Sequence, residues 1–314
     1  MTFEISKFLV KQDERLSITV VLTKSPFDSK VGTLIDSLHS SSSKPDRINF
    51  VLLPENNILG SEIEPSIIMG KFMEYQKLHV KQAVTKLMQS NGDSPGPVAG
   101  VVIDMLCSQI MDVADELGIP KYSFFPSCAG SLGVYLHLLT LYDELNVDVA
   151  KFKNDRVTEL HMPCFTNPIP ARVLPDVILD KAGAELILDH AKRIRETKGV
   201  IMNTFMELET QTIQTLSCDL PPLYPVGPIL NMILRGAEIK LDYRLKFDYN
   251  IHDEDVIVTA KEIEEAIKKV MEAESEMRKR VKDMSEKCKK TLLLGGSSYF
   301  SIRRLINDVI NNIP

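Results

Sequence analysis

Short β-branched runs punctuate the first two thirds of the chain: ITVVLT (18–23), INFVLLP (48–54), VAGVVID (98–104), YSFFP (122–126) and GVIMNTF (199–205). Each is nearly continuous in apolar residues, the pattern of a strand covered on both faces. Between them the apolar positions recur with helical spacing. MGKFMEYQKLHVKQAVTKLMQ (69–89) puts Phe72, Met73, Leu78, Val80, Val84 and Leu87 on one broad stripe. SQIMDVADELG (108–118) spaces Ile110, Val113, Ala114 and Leu117 at i, i+3, i+4 and i+7 and stops at Gly118, a good C′ residue. Strands alternating with helices predict βαβ units and a mainly parallel sheet.

Polar and proline-rich stretches separate these elements. SSSSKPD (40–46) and NGDSPGP (91–97) read as loops, and four prolines between residues 161 and 176 read as a long surface loop. LPPLYPVGPILN (220–231) is the best boundary, because its prolines forbid helix and most sheet pairing, so an extended connector is predicted. The tail differs in kind. Thr259-Ala260-Lys261-Glu262 forms a capping box, and a long helix or broken helix pair is predicted from there to about Leu294. Ile263, Ile267, Val270, Met277, Val281, Met284 and Cys288 mark its expected buried face. Gly295-Gly296 ends it, and Ser297 or Ser298 caps a last helix with Ile302, Leu305, Ile306, Val309 and Ile310 inward. Beyond residue 231 only Val256–Val258 suggests a strand. These helices must pack on the preceding domain or lack a centre of their own.

Composition narrows the class. Apolar residues are 44% of 314 and charged residues 25%, the balance of a soluble globular protein able to bury a large core. Thirty-seven basic residues against 43 acidic ones give a net charge of −6, which argues against nucleic-acid binding. No apolar run is long enough to span a membrane, and Glu4 and Lys7 interrupt any signal-peptide core. Five scattered cysteines without C-x-x-C predict reduced thiols in the cytoplasm.

Two positions carry candidate chemistry. Asp104 closes a predicted parallel strand just before a helix, where open α/β sheets bind ligands. It is placed to orient a histidine or hold a hydroxyl, or else to cap the helix. In FFPSCAG (124–130), Ser127 and the amides after it could meet an anionic or hydroxylated ligand at a helix N-terminus, or Ser127 is a simple N-cap; Phe124 and Phe125 read more readily as core than as a ligand stack. LYPVGPI (223–229) reads as a rigid linker and GGSS (295–298) as a helix break. The six histidines form no ligand pattern, so no metal site is expected. G-x-S-x-G is absent, and no G-x-G-x-x-G follows the first strand.

DMLCSQIMDVADELGIPKYSFFPSCAGSLG (104–133), GVIMNTFMELE (199–209) and LPPLYPVGPILN (220–231) resemble the plant family-1 UDP-glycosyltransferases, nearest to those that glucosylate flavonoids and other small phenols. EIKLDYR (238–244), VTAKEIEEAIKKVME, MRKRVKDMSEKCKK and GGSSYFSIRRLINDVI resemble the same family, so the likeness spans nearly the whole chain. It implies an α/β fold of GT-B type, with an acceptor-side and a donor-side Rossmann-like domain. In that family a histidine deprotonates the acceptor hydroxyl and an aspartate at the place of Asp104 orients it. The hydroxyl then displaces UDP from the sugar with inversion.

Departures from the family shape the remaining expectations. The chain starts inside what should be the first helix (EISKFLVKQDERL), so the family's first strand and its histidine are expected to be missing. The W-x-P-Q to H-C-G-W-N-S box that binds the UDP-sugar has no counterpart; there is no tryptophan, and GPILN passes through MILRGA to EIKLDYR. Pro126 stands where the nearest group tends to have threonine. The expected organisation is a Rossmann-like acceptor domain over residues 1–220, lacking its first strand, a linker and deletion junction over 221–237, and a mainly helical remnant over 238–314 whose last helix packs back on the first domain. The missing strand should leave a hydrophobic slot or unpaired edges. The expected site is Asp104 for catalysis and Phe124 with Ser127 for the acceptor, with no UDP-sugar residues retained. The resemblance implies UDP-glucose as co-substrate without further cofactor, a phenolic acceptor, no nucleic-acid partner and a monomer. Sugar transfer by this chain is expected to be absent. The alternative is a non-catalytic small-molecule-binding or interaction remnant, or a gene-model artefact.

Overall fold

A computed structural model describes residues 2–23, 47–55, 65–89, 97–155, 157–229, 259–271 and 276–313. In chain order these form α1 (Thr2–Gln12), β1 (Ile18–Leu22), β2 (Ile48–Leu52), α2 (Pro65–Gln89), β3 (Val101–Asp104), α3 (Met111–Glu116), β4 (Lys121–Phe125), α4 (Ala129–Asp143), β5 (Glu159–Leu160), β6 (Ile169–Pro170), α5 (Asp176–Leu179), α6 (Lys181–Ile194), β7 (Val200–Met202), α7 (Thr210–Leu216), β8 (Leu223–Pro225), α8 (Ala260–Met271), α9 (Glu276–Thr291) and α10 (Ser297–Ile310). A 3₁₀ turn, Met105–Ile110, joins β3 to α3. The expected loops at 40–46 and 91–96, the stretch 230–244 and the weak strand at 256–258 lie outside the described residues.

The centre is a four-stranded parallel sheet in the order β3-β4-β7-β8. Its two faces are read off one register. Phe124, Ile201 and Tyr224 align across three strands and pack with Ile5 of α1 and Ile302, Leu305 and Ile306 of α10. Phe125 and Met202 face the other way, into the core built from α4 and α6. Covering both faces explains why these strands carry apolar residues on both faces rather than at alternate positions, with Lys121 and Ser123 of β4 the buried polar exceptions.

β1 and β2 form a separate parallel pair. Among the described residues no ladder joins that pair to β3, whose outer edge is therefore unpaired. Val102, in the middle of β3, is 42% exposed. Among the described residues, side chains clasp the two sheets. On one face α1 reaches both, through Ile5 on the larger sheet and Val10 against Val20 and Ile48 on the smaller. On the other, Val21, Val51 and Leu53 share a cluster with Ile103, Ile110, Met111 and Val80 and Val84 of α2.

Several expectations are corrected. Leu223–Pro225 is not a free connector but the edge strand β8, possible because an edge strand tolerates proline. The proline-rich stretch 161–176 is not wholly superficial, since Ala171 and Leu174 are buried in the α4–α6 core. α2 begins four residues early, at Pro65, a favourable first helical residue. Its inner stripe includes the buried Gln76, whereas Leu78 is exposed. Ser297 and Ser298 do not cap α10. Their hydroxyls instead donate to Glu207 and to the carbonyl of Gly227, because Gly296 already takes the cap position. Ile263, Ile267 and Val281 are exposed rather than buried, since among the described residues no sheet lies under α8 and α9; the side chains of Val270 and Met277 lie outside the described set.

Candidate functional site

Asp104 ends β3 in extended backbone, and its Oδ1 accepts the amide of Leu106 at 3.0 Å, closing the 3₁₀ turn. The capping role and the position at a strand's carboxyl end therefore meet in one residue. Burial raises the carboxyl's pKa against the opposing Leu106 hydrogen bond. The same desolvation, reinforced by the Asp104 charge, pushes the Cys107 thiol up to about 12, which leaves it unreactive at neutral pH.

The turn that begins at Asp104 is held from behind by α6. Ser108 Oγ and His190 Nδ1 lie 2.5 Å apart, both side chains essentially without exposure. One helical turn away, Asp112 accepts from Lys77 Nζ at 2.8 Å and Arg193 Nη1 at 2.5 Å, and Arg193 Nε donates to Asp189 at 2.9 Å. Burial works against ionisation of Asp112, but these two cations outweigh it and hold its carboxyl below the usual range.

The other sequence candidates sit on the next strand. Phe124 lies in register with Asp104 and is buried among Tyr122, Ile201 and Tyr224, so its ring is core. Ser127 is exposed and donates to Ser131 Oγ at 3.2 Å, while Cys128 occupies the N-cap of α4. The helix N-terminus that the sequence offered to an anionic ligand already holds one. Glu209 accepts from the amides of Ala129 and Gly130, both at 2.8 Å, and from Thr204 Oγ1 at 2.5 Å. A carboxylate there satisfies two orphan donors and the positive end of the helix dipole. Glu209 was missed because no local pattern links it to a helix 80 residues upstream.

Of the four described histidines, His79, His137, His161 and His190, none hydrogen-bonds Asp104. His190 is spent on Ser108, and His79 packs against Tyr75 with ring centroids 4.9 Å apart. Among the described residues no His, Cys, Asp and Glu group could hold a metal ion, and no helix is long and apolar enough to cross a membrane. A surface cavity of about 220 Å³ between Tyr142, Asp148, Val149, Lys181 and Glu185 shares no residue with the Asp104 site.

No family model matches the chain. Curated relatives do. The chain is 44% identical over 243 residues to UDP-glucose flavonoid 3-O-glucosyltransferase 6 of Fragaria ananassa, covering 76% of this chain and 50% of that protein. It is 36% identical over 247 residues to UDP-glycosyltransferase 71E1 of Stevia rebaudiana, again covering 50% of the relative. The chain thus spans about half the length of these relatives. Against UDP-glycosyltransferase 71A15 of Malus domestica the identity is 28% over 459 aligned positions, covering 98% of this chain and 96% of that protein. An alignment longer than the 314 residues present bridges an internal stretch with no counterpart here. Among solved structures, a UGT transferase from Siraitia grosvenorii in complex with UDP superposes with TM-score 0.79 at 25% identity, covering 98% of this chain and 96% of that one. UGT2 of Phytolacca americana, solved with UDP-2fluoro-glucose and pterostilbene, gives TM-score 0.61 at 26% identity over 74% of this chain and 51% of that one. These neighbours have the GT-B fold.

Proposed function

We propose, for a chain that belongs by homology to the plant UDP-glycosyltransferases, that residues 1–229 are the acceptor half of an inverting UDP-sugar transferase acting on a flavonoid or other small phenol. In this reading Asp104 is the carboxylate that orients a general-base imidazole. The base takes the proton of the acceptor hydroxyl as that oxygen bonds to the anomeric carbon. The bond from that carbon to UDP breaks, and the imidazolium formed is stabilised by Asp104. The observation that carries the reading is Asp104 itself, at the carboxyl end of a parallel strand inside the segment shared with the 44%-identical glucosyltransferase. Ser127, exposed two residues past the neighbouring strand end, is the hydroxyl this reading assigns to the acceptor side; Phe124 serves it only as packing.

For the 314 residues by themselves, the reading is binding without transfer. None of the described histidines pairs with Asp104, and removal of a general base costs ~10²–10⁴ in rate. Loss of donor positioning adds up to ~7–11 kcal/mol of barrier. The test uses purified chain with a flavonol and UDP-glucose. Calorimetric binding of the flavonol, weakened in Asp104→Ala, with no glucoside by chromatography, is the expected result. Glucoside above background that vanishes in Asp104→Ala would overturn the claim of silence. Absence of flavonol binding would overturn the acceptor-half reading.

A further inference from the structure

His190 is buried on α6, 82 residues from the serine it bonds, and has no role in the chemistry above. Its Nδ1 is taken by Ser108; its Nε2 is buried with no hydrogen-bond partner. A neutral imidazole accommodates this, since one nitrogen is bonded and the other is the ring's single orphan. An imidazolium does not. A second proton either removes the lone pair that accepts from Ser108 or places a charged N–H where nothing accepts it. The turn served by this contact is Met105–Ile110, whose first hydrogen bond is the Leu106 amide on Asp104 Oδ1.

We propose that His190 is a positioning residue: in its neutral form it latches Ser108, and through it the 3₁₀ turn that sets Asp104, against α6, and acid releases the turn. The importance of Asp104 rests on the acceptor-side reading; the latch itself does not.

The surroundings fix the direction. Burial lowers the His190 pKa from 6.5 to about 4, with Asp189 pulling it up and Arg193 pushing it down from the same helix. The elements packed on α6 bring Lys77 from α2, Asp112 from α3, Cys107 from the turn, Tyr135 and His137 from α4, Asp176 from α5, and Lys151 and Lys153 from the 149–154 turn. None of these bears on the ring as burial, Asp189 and Arg193 do. A histidine depressed in the folded state contributes full stability above pH 6.5 and loses it as pH falls toward about 4. Asp112, whose carboxyl lies below the ordinary 3.8, stays ionised through that window, so the two effects separate.

Amide hydrogen exchange of the whole chain, corrected for intrinsic rates, tests this without ligand. Between pH 7.5 and 5 the Leu106 and Ser108 amides should lose protection by about 30-fold, the linkage expected for these two pKa values. Amides of β4 and β7 should stay protected. His190→Asn keeps a hydrogen-bonding group near the Nδ1 position but cannot titrate, so its turn should stay protected across the same range. Ser108→Ala should open the turn already at pH 7.5, and provides the second variant should His190→Asn fail to fold. Flat protection in the wild type, or an acid loss that persists in His190→Asn, would overturn the latch. Failure of flavonol binding would count against the acceptor reading and leave this result standing.

Discussion

Glu209 closes the N-terminus of a helix 80 residues away, and three donors converge on its carboxylate. Hydrogen bonds to a charged group are worth ~1.5–3 kcal/mol each when broken, and here two backbone amides would be orphaned together. Glu209→Ala should therefore lower the unfolding free energy by about 3 kcal/mol in urea titrations. Glu209→Gln, which still offers one acceptor oxygen, should lose less. Asp104 shows the opposite side of residue-scale reading. Its position at a strand end before a turn was visible in VAGVVID followed by MLCSQ. Its capping bond to Leu106 follows from the same local geometry. Whatever lies close in sequence was legible, and whatever converges from distant segments, as Glu209 and His190 do, was not.

Helices illustrate the same divide one level up. The 3.6-residue pattern places α2 and α10 well, because amphipathic spacing is local. It does not say what a stripe will meet. α10 finds the sheet, with Tyr224 Oη donating to Asp308 at 2.6 Å, Asn312 Nδ2 to Tyr122 Oη at 2.9 Å, and Arg304 to the carbonyl of Leu223. α8 and α9 carry stripes of the same kind, yet leave Ile263 and Ile267 at 42% and 47% exposure. α10 should thus carry measurable stability while α8 carries almost none. Leu305→Ala, at a site 1% exposed, should cost about 2–5 kcal/mol by calorimetry or denaturant unfolding. Ile263→Ala should change it by less than ~0.5 kcal/mol, as expected of an exposed position. β8 marks the limit for strands: three prolines in LPPLYP hid a pairing that only an edge position permits.

At the scale of the whole molecule, the parallel α/β architecture was readable from alternation alone, but the division of the parallel strands into two sheets that share no ladder among the described residues follows from which strands have neighbours. That division has a dynamic consequence. Cooperativity in a sheet is carried by backbone pairing as well as by packing, and among the described residues the β1–β2 unit is coupled to the rest through side chains, those of α1 and α2 and the cluster that Val21, Val51 and Leu53 share with Ile103, Ile110 and Met111. Weakly coupled units open independently, each with its own free energy. Native-state exchange under mild denaturant should show residues 18–22 and 48–52 opening together, well before 121–125 and 200–202. A single shared opening energy for both groups would refute this. With the two units opening separately, the protein melts as a rigid block preceded by the detachment of a small satellite, and no one midpoint temperature describes it.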